Sequence, residues 1–222
     1  MTYPPSTVDT DTELSAVNSI LGAIGQAPVT TLGTFVVNSD DIASYENPEI
    51  SFVYNLLKEC DLDVQNEGWT FNREDHIEKR PDDSGYIRVP GNVLRMDVMD
   101  GHMGGTGLND KFKDVVKRNG RLYDKVNHTD KFTDKIYVNL VWKVKFSDLP
   151  SVFRRYITFK ASTRAATQLV ANADLVKLLA NQELQARAAC MEYECNQGDH
   201  SFLGLPHESR YTSYQPYLAL RR

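Results

Sequence analysis

The hydrophobic period of this chain changes twice, and that limits the folds open to it. From residue 13 to about residue 66 apolar side chains recur every three or four positions; from Trp69 to about Phe146 the spacing moves toward two, and beyond Leu149 it returns to helical steps. The two periods put side chains on different faces, so neither kind of segment can take the other's place without exposing its apolar set. The pattern predicts an α+β fold: a helical bundle formed by the N- and C-terminal helices, an inserted antiparallel β-rich domain and an extended C-terminal tail. The corresponding boundaries are 1–68, 69–146, 147–198 and 199–222.

The first helix has a stripe of Leu14, Val17, Leu21 and Ile24. Thr10 and Glu13 stand in a capping-box spacing that predicts a start near residue 11, while Gly25 and Pro28 end the helix. A second helix is signalled from residue 48 to about 66. Asn47 suits the cap, Pro48 the first turn, and Ile50, Val53, Leu57, Cys60 and Val64 form the buried stripe, with Gly68 closing it. In the insert, turn residues fall at 81–85, 101–107 and at Asn119 and Gly120, the last a strong hairpin signal. Its final strand, residues 135–146, alternates Ile136, Val138, Leu140, Trp142 and Val144 against a mostly polar face. Asp148 and Pro150 restart the helix, with Asp148 read as its capping carboxylate. Val152, Tyr156, Phe159 and Thr163 then carry it to about Ala171. A break at 172–174 precedes the final helix, expected over 175–196 with Leu175, Leu178, Leu179, Gln182 and Ala186 before Ala189, Cys190 and Tyr193.

At 222 residues and 41% hydrophobic content the chain can bury a full core. No stretch approaches the ~20 apolar residues of a membrane span, and the polar first residues lack the regions of a signal peptide. The expectation is a soluble chain made in a cytoplasm, with no membrane insertion. Its three cysteines, Cys60, Cys190 and Cys195, cannot all pair and read as free thiols. Charge is unevenly spread: residues 1–68 hold eleven acids against the single base Lys58, whereas 111–145 hold ten bases against four acids. That basic island suits DNA phosphates, an acidic neighbouring subunit, or simply a solvated strand face.

Signals for chemistry are sparse. The chain has no P-loop, nucleophile elbow, His-Glu-x-x-His or Cys-x-x-Cys, and the glycine-rich 101–107 segment reads as a loop because no Lys-Ser/Thr pair follows it. No catalytic residue, cofactor site or metal site is assigned. The acid pairs Asp40–Asp41 and Asp82–Asp83 fit solvated loop charge better than glycoside hydrolysis. Trp69 and Phe71 read as core anchors. Arg154, Arg155 and Arg164 suit either helix-surface pairing with acids such as Glu183 or Asp174, or an intersubunit contact. In the tail, Tyr211, Tyr214, Tyr217, Arg221 and Arg222 are of the types that anchor interfaces; a terminal segment of this kind reads either as simple disorder or, the preferred expectation, as an arm that orders on assembly.

Four blocks resemble the tail tubular protein A family, adaptor subunits of podovirus tails related to phage T7. They are ELSAVNSIL with IGQAPVTTL near the start, Gly68-Trp69-Thr70-Phe71-Asn72, DLPSVFRRYITFKAST at 148–163, and RAACMEYE at 187–194. The resemblance spans roughly residues 12–199. It implies a structural virion protein rather than an enzyme: a homo-oligomeric ring, a dodecamer, docked under the portal protein and above the tail nozzle protein. The tail fibre protein would attach near that junction, and genomic DNA would pass through without sequence-specific contact. Two other readings stay open from the residues alone, a tail-associated polysaccharide hydrolase and a DNA-binding protein using 111–145.

Overall fold

The computed structural model describes residues 12–32, 35–37, 43–45, 47–98 and 114–198. Among these the chain is mixed α+β, with four α-helices and three small antiparallel sheets. The helices are α1 (Glu13–Ala23), α2 (Pro48–Asn66), α3 (Ser151–Ala165) and α4 (Ala173–Gly198). A strand pair, β1 (Phe35–Val37) with β2 (Ala43–Tyr45), lies between α1 and α2.

Helix α1 starts two residues later than the capping-box spacing suggests. Thr12 is the cap and accepts from the Ser15 amide at 3.2 Å; Thr10 lies outside the described residues. Glu13 does not reach back to the cap. Its carboxylate instead receives the Lys58 ammonium and, at 3.1 Å, the Tyr54 hydroxyl, tying α1 to α2. Gly25 does take the left-handed conformation that ends the helix, with φ of 80°. The buried positions of α1 are Ala16, Val17, Ile20 and Leu21, so the packed stripe is centred between Val17 and Leu21 and leaves Leu14 only half-buried. Helix α2 follows the sequence expectation: Asn47 accepts from the Glu49 amide at 2.9 Å, and Ile50, Val53, Leu57, Cys60 and Val64 are all buried.

The expected capping role of Asp148 is not realised. Pro150 occupies the N-cap position of α3, so Asp148 falls in the 3-10 turn Phe146–Asp148, where its carboxylate accepts from the Ser147 hydroxyl. The buried stripe of α3 is Phe153, Tyr156, Ile157, Ala161 and Ala165, with Val152 and Phe159 only half-buried. A π-helical turn, Ala166–Val170, follows and ends at Ala171 with φ of 53°. Asn172 then caps α4 by accepting from the Asp174 and Leu175 amides.

Helix α3 packs against α1, α2 and α4, and one core fills the spaces between them. Phe153 is its centre: fully buried, it meets Trp69 at 4.9 Å, Phe71 at 4.6 Å and Tyr193 at 5.8 Å between ring centroids. Trp69 and Phe71 are therefore core residues. Removing such an aromatic costs about 3–5 kcal/mol, against about 0.2–1 kcal/mol for a half-exposed ion pair such as Arg164 with Asp63. Packing therefore outweighs surface charge in holding these helices.

A second core belongs to the strands. In the largest sheet β7 (Ile136–Trp142) is central, paired antiparallel with β3 (Arg73–Lys79) on one side and β4 (Val93–Val98) on the other. Ile136, Val138 and Leu140 point inward as the alternation predicts, joined by Ile87, Val93, Met96, Leu122 and Phe132. The strand stops at Trp142, short of the expected end. Phe146 and Leu149 instead turn into the helical core, and Val144 packs against it. The hairpin β5 (Val115–Arg118) and β6 (Arg121–Asp124) closes at Asn119 and Gly120, whose φ values of 51° and 72° are those of a type I′ turn.

Candidate assembly surface

The four sequence blocks meet in space. Gly68 adopts φ of 80° after α2, and the Trp69 indole N–H donates to the Val64 carbonyl at 2.7 Å. The Thr70 hydroxyl and amide both donate to the carboxylate of Glu194 on α4, at 2.6 and 3.0 Å. Asn72 accepts from the Trp69 amide and donates to the carbonyls of Gln65 and Trp142. The Gly-Trp-Thr-Phe-Asn run is thus a joint that fastens α2, α4 and the central strand to one another. Its side chains are consumed by structure, and the outward-facing chemistry lies elsewhere.

That chemistry is cationic and sits along α3 and α4. Arg164 donates to Asp63 of α2 at 2.6 Å, which holds the guanidinium charged. Arg187 makes a two-pronged bond to Glu67, at 3.1 and 3.2 Å, and a third to the Tyr156 hydroxyl at 2.8 Å. These acids lie on α2 (Asp63) and at its C-cap (Glu67), not on α3 and α4; Glu183 and Asp174 are not the partners of Arg164. Arg154 is buried, 7% exposed, whereas Arg155 is exposed beside the half-buried Phe159. Arg155 and Phe159 form a ridge between two grooves. One, about 320 Å³, runs along α1 past Ser15, Ser19 and Phe146. The other, about 380 Å³, runs along α4 past Gln182, Gln185, Ala186 and Ala189.

The final helix departs from its expected stripe. Leu179 is buried, but Leu178 is 64% exposed, because the face toward α3 is Leu179, Ala186, Cys190 and Tyr193. Leu184 and Met191, which the periodicity did not single out, are also exposed. An end helix packed on one side only shows its partner-facing row and its free row alike as apolar, and sequence period does not separate them.

The basic island folds largely into the β region. Lys125 pairs with Asp114 at 2.7 Å, Lys135 with Glu78, and Lys117 donates to the Val93 carbonyl. At the hairpin tip the guanidinium of Arg118 stacks on Tyr123 and that of Arg121 on Tyr86, each at 4.1 Å. The stacking orients both arginines, and Arg121 also pairs with Asp130 at 3.7 Å.

Other sequence candidates resolve simply. Asp82 accepts from the amides of Tyr86 and Ser84 and from Arg88, bonds that hold its carboxyl below the usual range and commit it to a turn. Asp40 and Asp41, the 101–107 segment, and Tyr211, Tyr214, Tyr217, Arg221 and Arg222 lie outside the described residues. Cys60 and Cys190 are buried, which pushes their thiols up to about 11 and about 12, while Cys195 is exposed. Cys190 and Cys195 thus face different sides of α4. Among the described residues no cluster of His, Cys, Asp and Glu has metal-ligating geometry, and no helix is long and apolar enough to cross a membrane.

The described residues thus present grooves beside Arg155 and exposed leucines on α4, features suited to contact with other protein surfaces. The model of the tail tubular protein family matches residues 14–200, and the chain belongs to that family. It is thereby a structural component of the bacteriophage tail and of the virion. Comparison with curated proteins finds no match.

Proposed function

We propose that this chain is the head-to-tail adaptor subunit of a T7-like podovirus, the tail tubular protein A of that tail. Copies form a closed ring, a dodecamer, between the portal protein and the tail nozzle protein; the ring extends the DNA channel and supports tail fibre attachment. Assembly takes place in the host cytoplasm. Residues 1–68 and 147–198 act as one helical bundle, 69–146 as a β-rich insert and 199–222 as an extended arm. Arg154, Arg155 and Arg164, with Tyr211, Tyr214, Tyr217, Arg221 and Arg222 of the arm, belong to the contacts with neighbouring subunits or the portal.

The observation that carries this reading is the match to the tail tubular family across residues 14–200. The grooves beside Arg155 and Phe159 support it, since they offer shape and charge to a protein partner. Net negative charge also suits a channel that must release its genome, because it repels phosphate.

The test is direct. The purified chain, alone and mixed with the cognate portal, is imaged by electron microscopy and sized by light scattering. Rings, or rings seated on the portal, are expected. A folded chain that stays monomeric in both conditions would falsify the adaptor reading.

A further inference from the structure

Three arginines stand in register across three neighbouring stretches of chain. Arg118 of β5 is the partner of Arg121 of β6, and Arg121 is bridged in turn to Arg88, in the segment before β4. The second pairing is fixed by two backbone bonds at 2.9 Å: the Val89 amide donates to the Gly120 carbonyl and the Leu122 amide to the Ile87 carbonyl. Residues opposite one another share a face and sit about 5 Å apart. The alternate positions Ile87, Val89, Val115 and Leu122 are buried, so the three guanidinium groups stand together on the outer face, where all three arginines are exposed. Lys131, bridged to Tyr86, adds a fourth exposed cation there.

Like charges set directly opposite one another destabilise a sheet, and the local acids do not cancel these. Asp82 meets Arg88 at 3.4 Å while also accepting two backbone amides, and Asp130 meets Arg121 at 3.7 Å. Among the described residues Arg118 and Lys131 have no acid within ion-pair distance. Stacking on Tyr123 and Tyr86 holds Arg118 and Arg121 in place beside a hollow of about 540 Å³, lined also by Asn119 and Asp130.

We propose that this row binds the phosphate backbone of duplex DNA. It deepens the reading above, in which the genome passes through the ring, by giving that DNA a point of contact. Guanidinium forks match phosphate oxygens. A duplex carries about one negative charge per 1.7 Å of its axis, so three arginines at steps of about 5 Å meet several. A protein partner fits less well, because protein interfaces are built on an apolar core. On the outer face of these strands Val116 is the only exposed large apolar side chain among the described residues. The site is narrower than the basic 111–145 segment, whose Lys117, Lys125 and Lys135 are engaged elsewhere, and it takes Arg88 from outside that segment. Contacts to the backbone carry no sequence information.

The test titrates the full chain against a fluorescently labelled duplex by anisotropy, over a range of salt. Wild type is expected to bind two unrelated sequences equally, and more weakly as salt rises. Arg88→Gln, Arg118→Gln and Arg121→Gln together should keep the wild-type unfolding midpoint and weaken binding at least about tenfold at low salt. They should also flatten the log–log salt slope by about two to three, at ~0.9 per phosphate contact. Lysine at the same three positions should keep the slope. Arg73→Gln, Lys125→Gln and Lys135→Gln remove as many cations, each already paired with an acid, and should bind as the wild type does. Equal losses in the two glutamine triples would reduce the effect to net charge and overturn the proposal. So would a wild type that binds no duplex at low salt, or row variants that bind DNA as before but lose ring or portal contact, since the occupant is then a protein. Those outcomes leave the ring reading intact. A chain that binds duplex through the row yet never forms rings keeps the site and removes the adaptor reading.

Discussion

Gln65 of α2 clasps the backbone of Val144 from both sides: its side-chain amide donates to the Val144 carbonyl at 3.0 Å, and its side-chain oxygen accepts from the Val144 amide at 2.7 Å. The second amide hydrogen goes to Asp61 at 2.7 Å. Every polar atom of this fully buried side chain is used. The clasp sits where the chain leaves β7 for α3, and it joins the helical core to the sheet. Gln65→Leu keeps the bulk but removes all three bonds, and the loss is expected to be about 2–3 kcal/mol, because buried polar partners are left unsatisfied. Urea unfolding measures it; a change below about 0.5 kcal/mol would show that water replaces the clasp.

Gly68 cannot be exchanged without cost. Its φ of 80° is strained for any side chain, and an added Cβ would lie 3.0 Å from a guanidinium nitrogen of Arg95 and 3.1 Å from a Val141 methyl. Gly68→Ala should destabilise by about 1–2 kcal/mol. Gly22, helical and with nothing within 4 Å of its Cβ position, supplies the control: Gly22→Ala should stabilise by about 0.5–1 kcal/mol. Thermal melts that move both variants the same way would refute this reading of the two glycines.

Asp61 makes stability depend on pH. Burial raises its carboxyl above the ordinary value, and the bond from Gln65 offsets this only in part. The folded state therefore holds the proton more tightly than the unfolded chain. Its contribution is full below the unfolded carboxyl value and is lost as pH rises through the folded one. Asp61→Asn keeps an acceptor for Gln65 and removes the titration. Its stability relative to wild type should increase from pH 3 to pH 7 in a series of urea melts, and an advantage that shrinks over that range contradicts the assignment.

Thiol reactivity should follow burial. Cys195 alone is exposed, while Cys60 and Cys190 are buried, with thiols at about 11 and about 12. A thiol reagent at pH 8 should modify Cys195 rapidly and the other two only after denaturation, since the thiolate is the reactive form. Mass spectrometry of the native protein showing label on Cys60 or Cys190 at a comparable rate would mean the helices open far more readily than this core implies.

Local physics in the sequence determined which kind of element each segment forms and, for some of them, where it ends. The Asn47 cap, the Pro48 first turn and five apolar positions at helical steps define α2 from residues within one segment, and the structure follows them. The type I′ turn at Asn119 and Gly120 and the inward face of Ile136, Val138 and Leu140 are equally local. The tail tubular resemblance was legible for the same reason: blocks such as Gly-Trp-Thr-Phe-Asn are contiguous, although what they do is not. Only the tertiary structure decided which residues meet. Glu13 turns from its own helix end to Lys58, Asp148 yields the cap of α3 to Pro150, and Arg164 finds Asp63 rather than Glu183. Glu13 and Arg164 find their partners on another helix, whereas Asp148 bonds its neighbour Ser147 because the chain turns there before the helix begins. Period alone also could not tell the row of α4 that enters the core from the row left outside. Both are apolar at helical spacing, and what separates Leu179 from Leu184 is the position of α3, which no local rule specifies.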